Sequence, residues 1–251
     1  QKHASTVGGC SAIKYKYGID VVPHFICGGF DRLEIEDALF DLIFLGIENV
    51  FALRGDPRKN ENEFIPKASG LKHASELVDQ IREMQRNNYL HQMHPVKAAD
   101  FCVGVAGYPE KHHESKSLNE DIKMLKYKID CGADYIVTQM FYDYGNFIDW
   151  EDRCRQAGIT VPIIPGLKPL TEKKQIRRFA KNFGVKIPRD LEEAMNKATN
   201  SLSAYKAGID YMAELSEKLI SHGVPGLHYF TMGNGADVAD VAEKVFKKYH
   251  S

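Results

Sequence analysis

The segment Asn49-Val50-Phe51-Ala52-Leu53-Arg54-Gly55-Asp56-Pro57 joins a short apolar run to a cation, a glycine and an acid. An apolar run that ends at charged residues is typical of a buried strand in an α/β protein, with the charged residues at the carboxyl edge of the sheet. Pro57 stops the strand from continuing. Arg-Gly-Asp also suits a solvated surface turn, so the functional interpretation depends on whether other strands end in the same way.

Strands and helices alternate along the chain. After a helix at about 6–17, we predict six strands at 20–27, 48–53, 101–106, 134–141, 161–167 and 227–232. Helices are predicted at about 33–45, 71–86, 117–131, 147–156, 172–182, 188–198, 202–221 and 236–249. This alternation predicts a parallel sheet covered by helices. Six strand–helix units fit either an open doubly wound sheet or most of an eightfold barrel.

The first helix has no strand before it, which favours the barrel. It looks like the return helix of a unit whose strand lies upstream of Gln1. We therefore predict an α/β fold, a (β/α)8 TIM barrel with about six of its eight strand–helix units present. No repeat or linker divides the sequence, so residues 1–251 are expected to form a single domain.

The amino-acid composition restricts the kinds of partner that the protein is expected to bind. The 33 basic and 34 acidic residues nearly cancel, so no long-range field is expected for nucleic acid or a membrane surface. No apolar run is long enough for a membrane span. The five scattered cysteines form no Cys-x-x-Cys pair and are interpreted as reduced, buried thiols. We expect a cytoplasmic enzyme with a small-molecule substrate, acting as a homo-oligomer without nucleic-acid or membrane partners.

Residue types suited to ligand binding recur near the ends of the predicted strands. They are His24, Arg54, Asp56, Tyr108, His112, Gln139 and Pro165-Gly166. In a barrel these strand ends meet on one face, where such enzymes hold their active sites. Asp121 and Lys128 lie two turns apart on one predicted helix and share its face. The strand-end residues combine cations, an aromatic, an amide and one carboxylate, which suits an anionic, planar, hydrogen-bonding ligand such as a flavin nucleotide.

Other kinds of site have weaker support. His91-x-x-His94 and His112-His113 lack a cysteine or carboxylate at ligand spacing, so we predict no metal site. Gly233-Asn234-Gly235 matches half of a dinucleotide fingerprint and fits a phosphate-binding or flexible turn equally well. A Schiff-base aldolase would need a lysine at a strand end, where the predicted strands offer only Lys168, beside Pro169 in a turn.

The chain resembles methylenetetrahydrofolate reductase over nearly all of its length. The motifs that carry this are VPHFIC (22–27), NVFALRGDP (49–57), GVAGYPEKH (104–112), GADYIVTQMFYD (132–143) and VPIIPGLKPLT (161–171). The segments CGGF (27–30) and HYFTMG (228–233) most resemble a Bacteroides-like bacterial form. The resemblance implies an eight-stranded barrel with FAD across the carboxyl ends of the strands. It also implies ping-pong reduction of 5,10-methylenetetrahydrofolate to 5-methyltetrahydrofolate, with NADH or NADPH as the electron donor.

The resemblance also implies roles for particular residues. It places His24, Arg54, Gly55, Asp56, His73, Tyr108, His112, Ser115, Asp121 and Lys128 at the FAD. It places Asp56, Gln139, Gln175 and Phe179 at the substrate, with Asp56 and Gln139 taking part in catalysis. The Asp56 carboxylate would hydrogen-bond the pterin and restrain the flavin's electron affinity. The Gln139 amide would match adjacent donors and acceptors on the pterin.

The sequence departs from the family pattern in two places. Asn234 stands where many relatives carry the arginine that holds the folate tail. The family's general acid is a glutamate in a first strand that nothing in residues 1–18 matches, so no residue is assigned that role, and about two strands are expected upstream. The alternative function is a non-catalytic flavin- or folate-binding subunit completed by another chain.

Overall fold

The strands and helices alternate in the order that the sequence predicts. The computed structural model describes residues 5–57, 61, 63–91 and 100–247. The strands within them are β1 (His24–Ile26), β2 (Asn49–Leu53), β3 (Cys102–Gly107), β4 (Tyr135–Met140), β5 (Ile163–Leu167) and β6 (His228–Tyr229). The helices are α1 (Thr6–Tyr17), α2 (Arg32–Phe44), α3 (Ala74–Gln85), α4 (Leu118–Asp130), α5 (Tyr144–Gln156), α6 (Lys173–Phe183), α7 (Arg189–Lys197), α8 (Ser201–His222) and α9 (Ala236–Phe246).

The six parallel strands, each followed by at least one helix, form part of a (β/α)8 barrel and confirm the predicted fold class. The first and last strands are shorter than predicted, at three and two residues. β1 begins after Pro23, which has no N–H to give to a strand ladder. Other element ends agree with the prediction to within about three residues. The last two residues predicted for α9 lie outside the described part of the chain.

The chain divides into two compact units. The first takes Gln1–Ala106 and Leu125–Tyr135, and the second takes Gly107–Met124 and Ile136–Ser251. In the first unit β1, β2 and β3 pair in parallel, with His24 opposite Phe51 and Phe51 opposite Gly104. In the second unit β4, β5 and β6 pair in parallel. The single domain over 1–251 stays a prediction.

Helix starts in the first unit are fixed by short-range hydrogen bonds. Asp31 caps α2 by accepting from the backbone N–H groups of Leu33 and Glu34, and the Glu34 carboxylate accepts from the Asp31 N–H in return. This reciprocal pair satisfies backbone donors that the helix itself leaves unpaired. Lys67 forms ion pairs with both carboxylates, which ties the segment after β2 to the start of α2.

The second unit has an irregularity between β4 and β5. The register shifts between Val137 and Met140, and the Thr138 hydroxyl accepts the Gly166 N–H at 2.8 Å in place of a backbone carbonyl. A bulge of this kind re-aims the side chains that follow it. Gln139 lies within the shifted stretch, so the irregularity sets the direction of a residue that the sequence places at the site.

The thiols are not uniformly buried, so that part of the cysteine interpretation is wrong. Cys27 and Cys154 are buried and free, and burial raises the pKa of both thiols to about 12. Cys10 and Cys131 are partly exposed, and Cys102 is exposed at the start of β3. None of the described helices is both long and apolar enough to cross a membrane.

Arg82 on α3 holds together the segments that precede β3 and β4. Its Nε donates to the Gly132 carbonyl at 2.9 Å, Nη1 donates to the Phe101 carbonyl at 2.9 Å, and Nη2 pairs with the Asp134 carboxylate. The same carboxylate accepts the Val103 N–H at 2.6 Å. The Arg82 side chain is only 15% exposed, so these charge-assisted bonds are partly shielded from water. They lie at the amino ends of the strands, where a barrel concentrates stabilising contacts.

We expect Arg82→Met to lower the free energy of unfolding by about 2–3 kcal/mol, because the carbonyls and the carboxylate lose a charged donor. Arg82→Lys should recover less than half, since an ammonium group cannot reach several acceptors as a planar guanidinium does. Urea unfolding followed by circular dichroism measures both changes.

Arg86→Met is the matched control for the clamp. Arg86 directly follows the same helix, its side chain is 63% exposed and it pairs with Glu83, so its loss should change the free energy of unfolding by less than about 0.5 kcal/mol. Equal losses for the two methionine variants would contradict a specific role for Arg82.

Candidate functional site

The carboxyl end of β2 presents a cation and an acid around a sharp turn. Gly55 has φ +90°, a conformation that residues with a side chain rarely adopt, and it lets the chain leave the strand directly after Arg54. Arg54 Nε donates to the Gly55 carbonyl at 3.3 Å. Asp56 is exposed, and no described residue forms an ion pair with its carboxylate. The end of β2 therefore offers an oriented guanidinium and a solvated carboxylate in adjacent positions.

Arg54 lies against an aromatic ring. The Cζ atom of its guanidinium is 5.1 Å from the centroid of the Phe64 ring. The backbone of Gly28, just after β1, donates to the Arg54 carbonyl at 3.1 Å. A Cβ atom on Gly28 would meet Phe64 Cε2 at 3.2 Å, so a side chain at that position would crowd the ring. The sequence reasoning missed Phe64; its one signal is a single aromatic residue in the polar segment after β2.

His24 begins β1, rather than lying late in the strand as the sequence suggested. Its ring is 4.9 Å from the Phe51 ring, and Phe51 lies 6.5 Å from the Tyr135 ring in turn. Tyr135 covers Gly104, where any side chain would overlap the phenol. Desolvation lowers the pKa of His24, so the imidazole is neutral at pH 7. The first unit therefore has a row of three aromatic side chains on one level of its sheet.

His73 is the N-cap residue of α3. Its carbonyl accepts from the Cys27 thiol at 3.6 Å, and its N–H donates to the Glu76 carboxylate at 3.1 Å. These bonds fix the backbone at the start of α3. The helix N-terminus also favours anions, which is compatible with the nucleotide role that the resemblance implies.

Lys128 reaches from α4 to the end of β3, where its ammonium group donates to the Ala106 carbonyl. Ala106 is the last residue but one of that strand. The bond brings a cation from a helix to a strand end, whereas the sequence placed this residue only on the helix after the third strand. Its contact with a cofactor stays a prediction. In the first unit, His24, Arg54, Gly55, Asp56, His73 and Lys128 thus lie on or next to β1, β2, β3 and α3.

In the second unit, the segment 108–117 forms what we call the β3–α4 loop. The Tyr108 and His112 rings meet edge to face, with centroids 4.7 Å apart. The Ser115 hydroxyl donates to the Asp121 carboxylate at 2.8 Å. The structure therefore joins four predicted site residues in two contacts. Asp121 is buried, and its carboxylate accepts a hydroxyl donor, as it would from a sugar or ribityl chain.

Lys111 organises the β3–α4 loop from within. It adopts φ +77°, and its ammonium group donates to the carbonyls of His112 and Ser115. The Glu114 N–H donates to His112 Nδ1 at 3.2 Å, so Nδ1 is the acceptor and the neutral ring carries its proton on Nε2. The loop thus holds His112 as a hydrogen-bond donor through Nε2. No sequence signal pointed to Lys111.

Glu110 anchors the same loop. Its Oε2 accepts the Lys186 N–H at 2.6 Å, and no described residue pairs with its buried Oε1. Burial raises the pKa of this carboxyl group. A carboxyl group that is hard to ionise lies between two predicted cofactor residues in the chain, Tyr108 and His112.

The predicted substrate residues of the second unit are partly used by the fold. Gln139 Oε1 accepts the Met140 N–H at 2.9 Å. Gln175 Oε1 accepts the backbone N–H groups of Thr171 and Glu172, which caps α6 and leaves its Nε2 as a donor. Phe179 is 2% exposed, and its ring packs 5.3 Å from Phe183. Their contact with a substrate stays a prediction.

Two residues that the sequence left ambiguous have clear local partners. Lys168, the one lysine considered for a Schiff base, is 3% exposed and forms a buried ion pair with Asp237 at the start of α9. This pair fixes the turn that contains Asn234, whose Oδ1 accepts the Ala236 N–H at 3.2 Å. Among the described residues no group of three potential ligands could hold a metal ion, and His94 lies outside them.

Comparison with known proteins identifies the family. The family model described as methylenetetrahydrofolate reductase matches residues 1–245. Methylenetetrahydrofolate reductase 1 of Schizosaccharomyces pombe is 36% identical over 241 residues, which cover 96% of this chain and 38% of the relative. The 5,10-methylenetetrahydrofolate reductase of Salmonella typhimurium is 33% identical over 223 residues, covering 88% of this chain and 68% of the relative. The chain thus spans little more than a third of the length of the fungal relative.

A solved structure agrees with the fold. A Clostridium thermocellum protein, described as binding two copies of 5-methyl-5,6,7,8-tetrahydrofolic acid, superposes with a TM-score of 0.56 and 19% identity. The match covers 97% of this chain and 79% of that protein, and at this identity it supports the fold alone. The family match over 245 residues, together with the bacterial and fungal relatives, is sufficient for assignment: the chain belongs to the methylenetetrahydrofolate reductase family.

Proposed function

We propose that this chain reduces 5,10-methylenetetrahydrofolate to 5-methyltetrahydrofolate, with FAD as cofactor and NADH or NADPH as electron donor, by ping-pong hydride transfer. The observation that carries the proposal is the Arg54-Gly55-Asp56 turn at the end of β2 in a chain that matches the family over residues 1–245. The name of the Clostridium thermocellum neighbour, a binder of a methylated folate, agrees with this substrate class.

The donor set fits a flavin nucleotide. FAD is an anionic diphosphate with a planar, hydrogen-bonding ring, so its site needs cations, N–H donors and an acceptor for hydroxyl groups. In the first unit Arg54 and Lys128 would supply the cations. In the second unit His112 would supply a donor, and the Asp121 carboxylate accepts a hydroxyl.

When bound, FAD would accept a hydride from the nicotinamide and deliver it to the folate. The residues of this chain would bind and orient the reactants around it. The Asp56 carboxylate would hydrogen-bond the pterin, and its negative charge would oppose the gain of negative charge close by. Gln139 would use its Nε2 donors for the pterin, since its Oε1 already accepts from Met140.

Spectroscopy of the purified chain tests this function. We expect bound flavin absorbance, bleaching by NADH or NADPH under anaerobic conditions, and recovery of the absorbance when methylenetetrahydrofolate is added. Bound flavin that neither donor bleaches would favour the non-catalytic subunit, and a chain that binds no flavin would overturn the proposal.

Asp56→Asn should change the two half-reactions unequally. Removing the Asp56 charge would make a nearby bound flavin easier to reduce, so reduction by NAD(P)H should persist, while folate reduction slows by about tenfold or more. Stopped-flow absorbance separates the half-reactions. Asp149→Asn, at an exposed position on α5, should alter neither rate. Equal losses in both half-reactions would refute the role given to Asp56.

Gln139→Leu should weaken folate binding by about tenfold, because a pterin hydrogen-bond group loses its partner, while FAD occupancy stays intact. Gln139→Glu keeps the acceptor for the Met140 N–H and removes the amide donors. It should therefore bind folate as poorly as the leucine variant. Wild-type folate affinity in the glutamate variant would mean that Gln139 serves only to hold the backbone of β4.

A further inference from the structure

We infer that Phe64 is a positioning residue for Arg54, and that its ring holds the guanidinium in the orientation that binds an anionic group of the cofactor. The inference rests on the proposed function and adds a residue that neither the family motifs nor the sequence pattern assigns. It also assigns a purpose to Gly28, which makes room for the ring.

The ring contact and anion binding use different properties of the guanidinium group. The Arg54 Cζ atom is 5.1 Å from the Phe64 ring centroid, and such a cation–π contact depends on the positive charge. Carboxylates and phosphates bind a guanidinium group through hydrogen bonds from its N–H groups. The hydrogen bond from Arg54 Nε to the Gly55 carbonyl at 3.3 Å also restricts rotation of the guanidinium group. An arginine side chain that is ordered before binding loses less conformational entropy when the ligand arrives.

The ring is itself fixed by the end of β1. Gly28 donates its N–H to the Arg54 carbonyl at 3.1 Å and has no side chain to push the ring away. An added Cβ would meet Phe64 Cε2 at 3.2 Å and the Arg54 carbonyl oxygen at 3.6 Å. A contact of 3.2 Å would displace the ring by a few tenths of an ångström. Arg54 is thus held at two points. Its carbonyl accepts the Gly28 N–H, and its guanidinium group contacts the Phe64 ring.

FAD affinity measures the effect directly. In titrations of the full 251-residue chain with FAD, we expect Phe64→Leu to weaken binding by about fivefold, from the loss of a cation–π contact and of the order that it imposes. Phe64→Tyr keeps the ring and should stay within about twofold of the unchanged chain. Gly28→Ala should weaken binding in the same direction as Phe64→Leu. Ile65→Ala, at an exposed position next in the segment, is the matched control and should have no effect.

A double-mutant cycle distinguishes positioning from a general structural role. If Phe64 acts through Arg54, then Phe64→Leu should change FAD affinity by less than about twofold in an Arg54→Met background. A repeated fivefold loss in that background would overturn the inference, because the ring would then act independently of Arg54.

A ligand-free measurement keeps this inference separate from the cofactor proposal. The Nε–H proton of Arg54 should show a ring-current shift in NMR spectra that disappears in Phe64→Leu and persists in Phe64→Tyr. An unchanged Arg54 signal in Phe64→Leu would overturn the positioning role, even if the chain binds FAD. Failure of the unchanged chain to bind FAD would instead overturn the proposed function, while the NMR result would still decide whether Phe64 orders Arg54.

Discussion

The parallel pairing of β1 with β2 continues by two hydrogen bonds past the end of β1. Cys27 donates to the Leu53 carbonyl and Gly28 donates to the Arg54 carbonyl, each at 3.1 Å. The residues that bear charge after β2 are therefore held by strand-like backbone bonds, although they lie in a loop. This constraint keeps Arg54 near Phe64 and allows Gly55 to turn the chain immediately afterwards. Most of the candidate chemistry in the first unit depends on it.

The two units order their polar side chains through different kinds of contact. In the first unit aromatic rings do so, with Phe64 on Arg54 and Phe51 beside His24. In the second unit the β3–α4 loop is built from hydrogen bonds, with Lys111 donating to two of its carbonyls. Rings restrict orientation without using up hydrogen-bonding capacity, whereas a bonded loop fixes the tautomer and direction of a single group such as His112. Both devices order the side chains before any ligand binds.

The sequence predicted the alternation of elements because apolar runs, glycine stops and capping residues are local signals. Asp31 illustrates this, since an aspartate just before the helix predicted at 33–45 is a typical N-cap residue, and it caps α2 in the structure. The strand end that carries Arg54 was also predictable from the sequence, and so was the helix that carries Lys128. The Arg54–Phe64 contact was not, because it joins residues across a polar segment without periodicity. The extent of β1 was misjudged for a related reason: strand length depends on pairing partners that a single segment does not reveal.

The position of the Arg82 clamp has a consequence for how this scaffold can change. Its acceptors precede β3 and β4, so the bonds that hold these segments lie at the opposite end of the strands from Arg54 and Asp56. Loops that follow the strands can therefore be lengthened, shortened or exchanged with little loss of cohesion. Such a separation lets a lineage, or a protein engineer, explore new ligands on one rim while the anchoring rim stays constant.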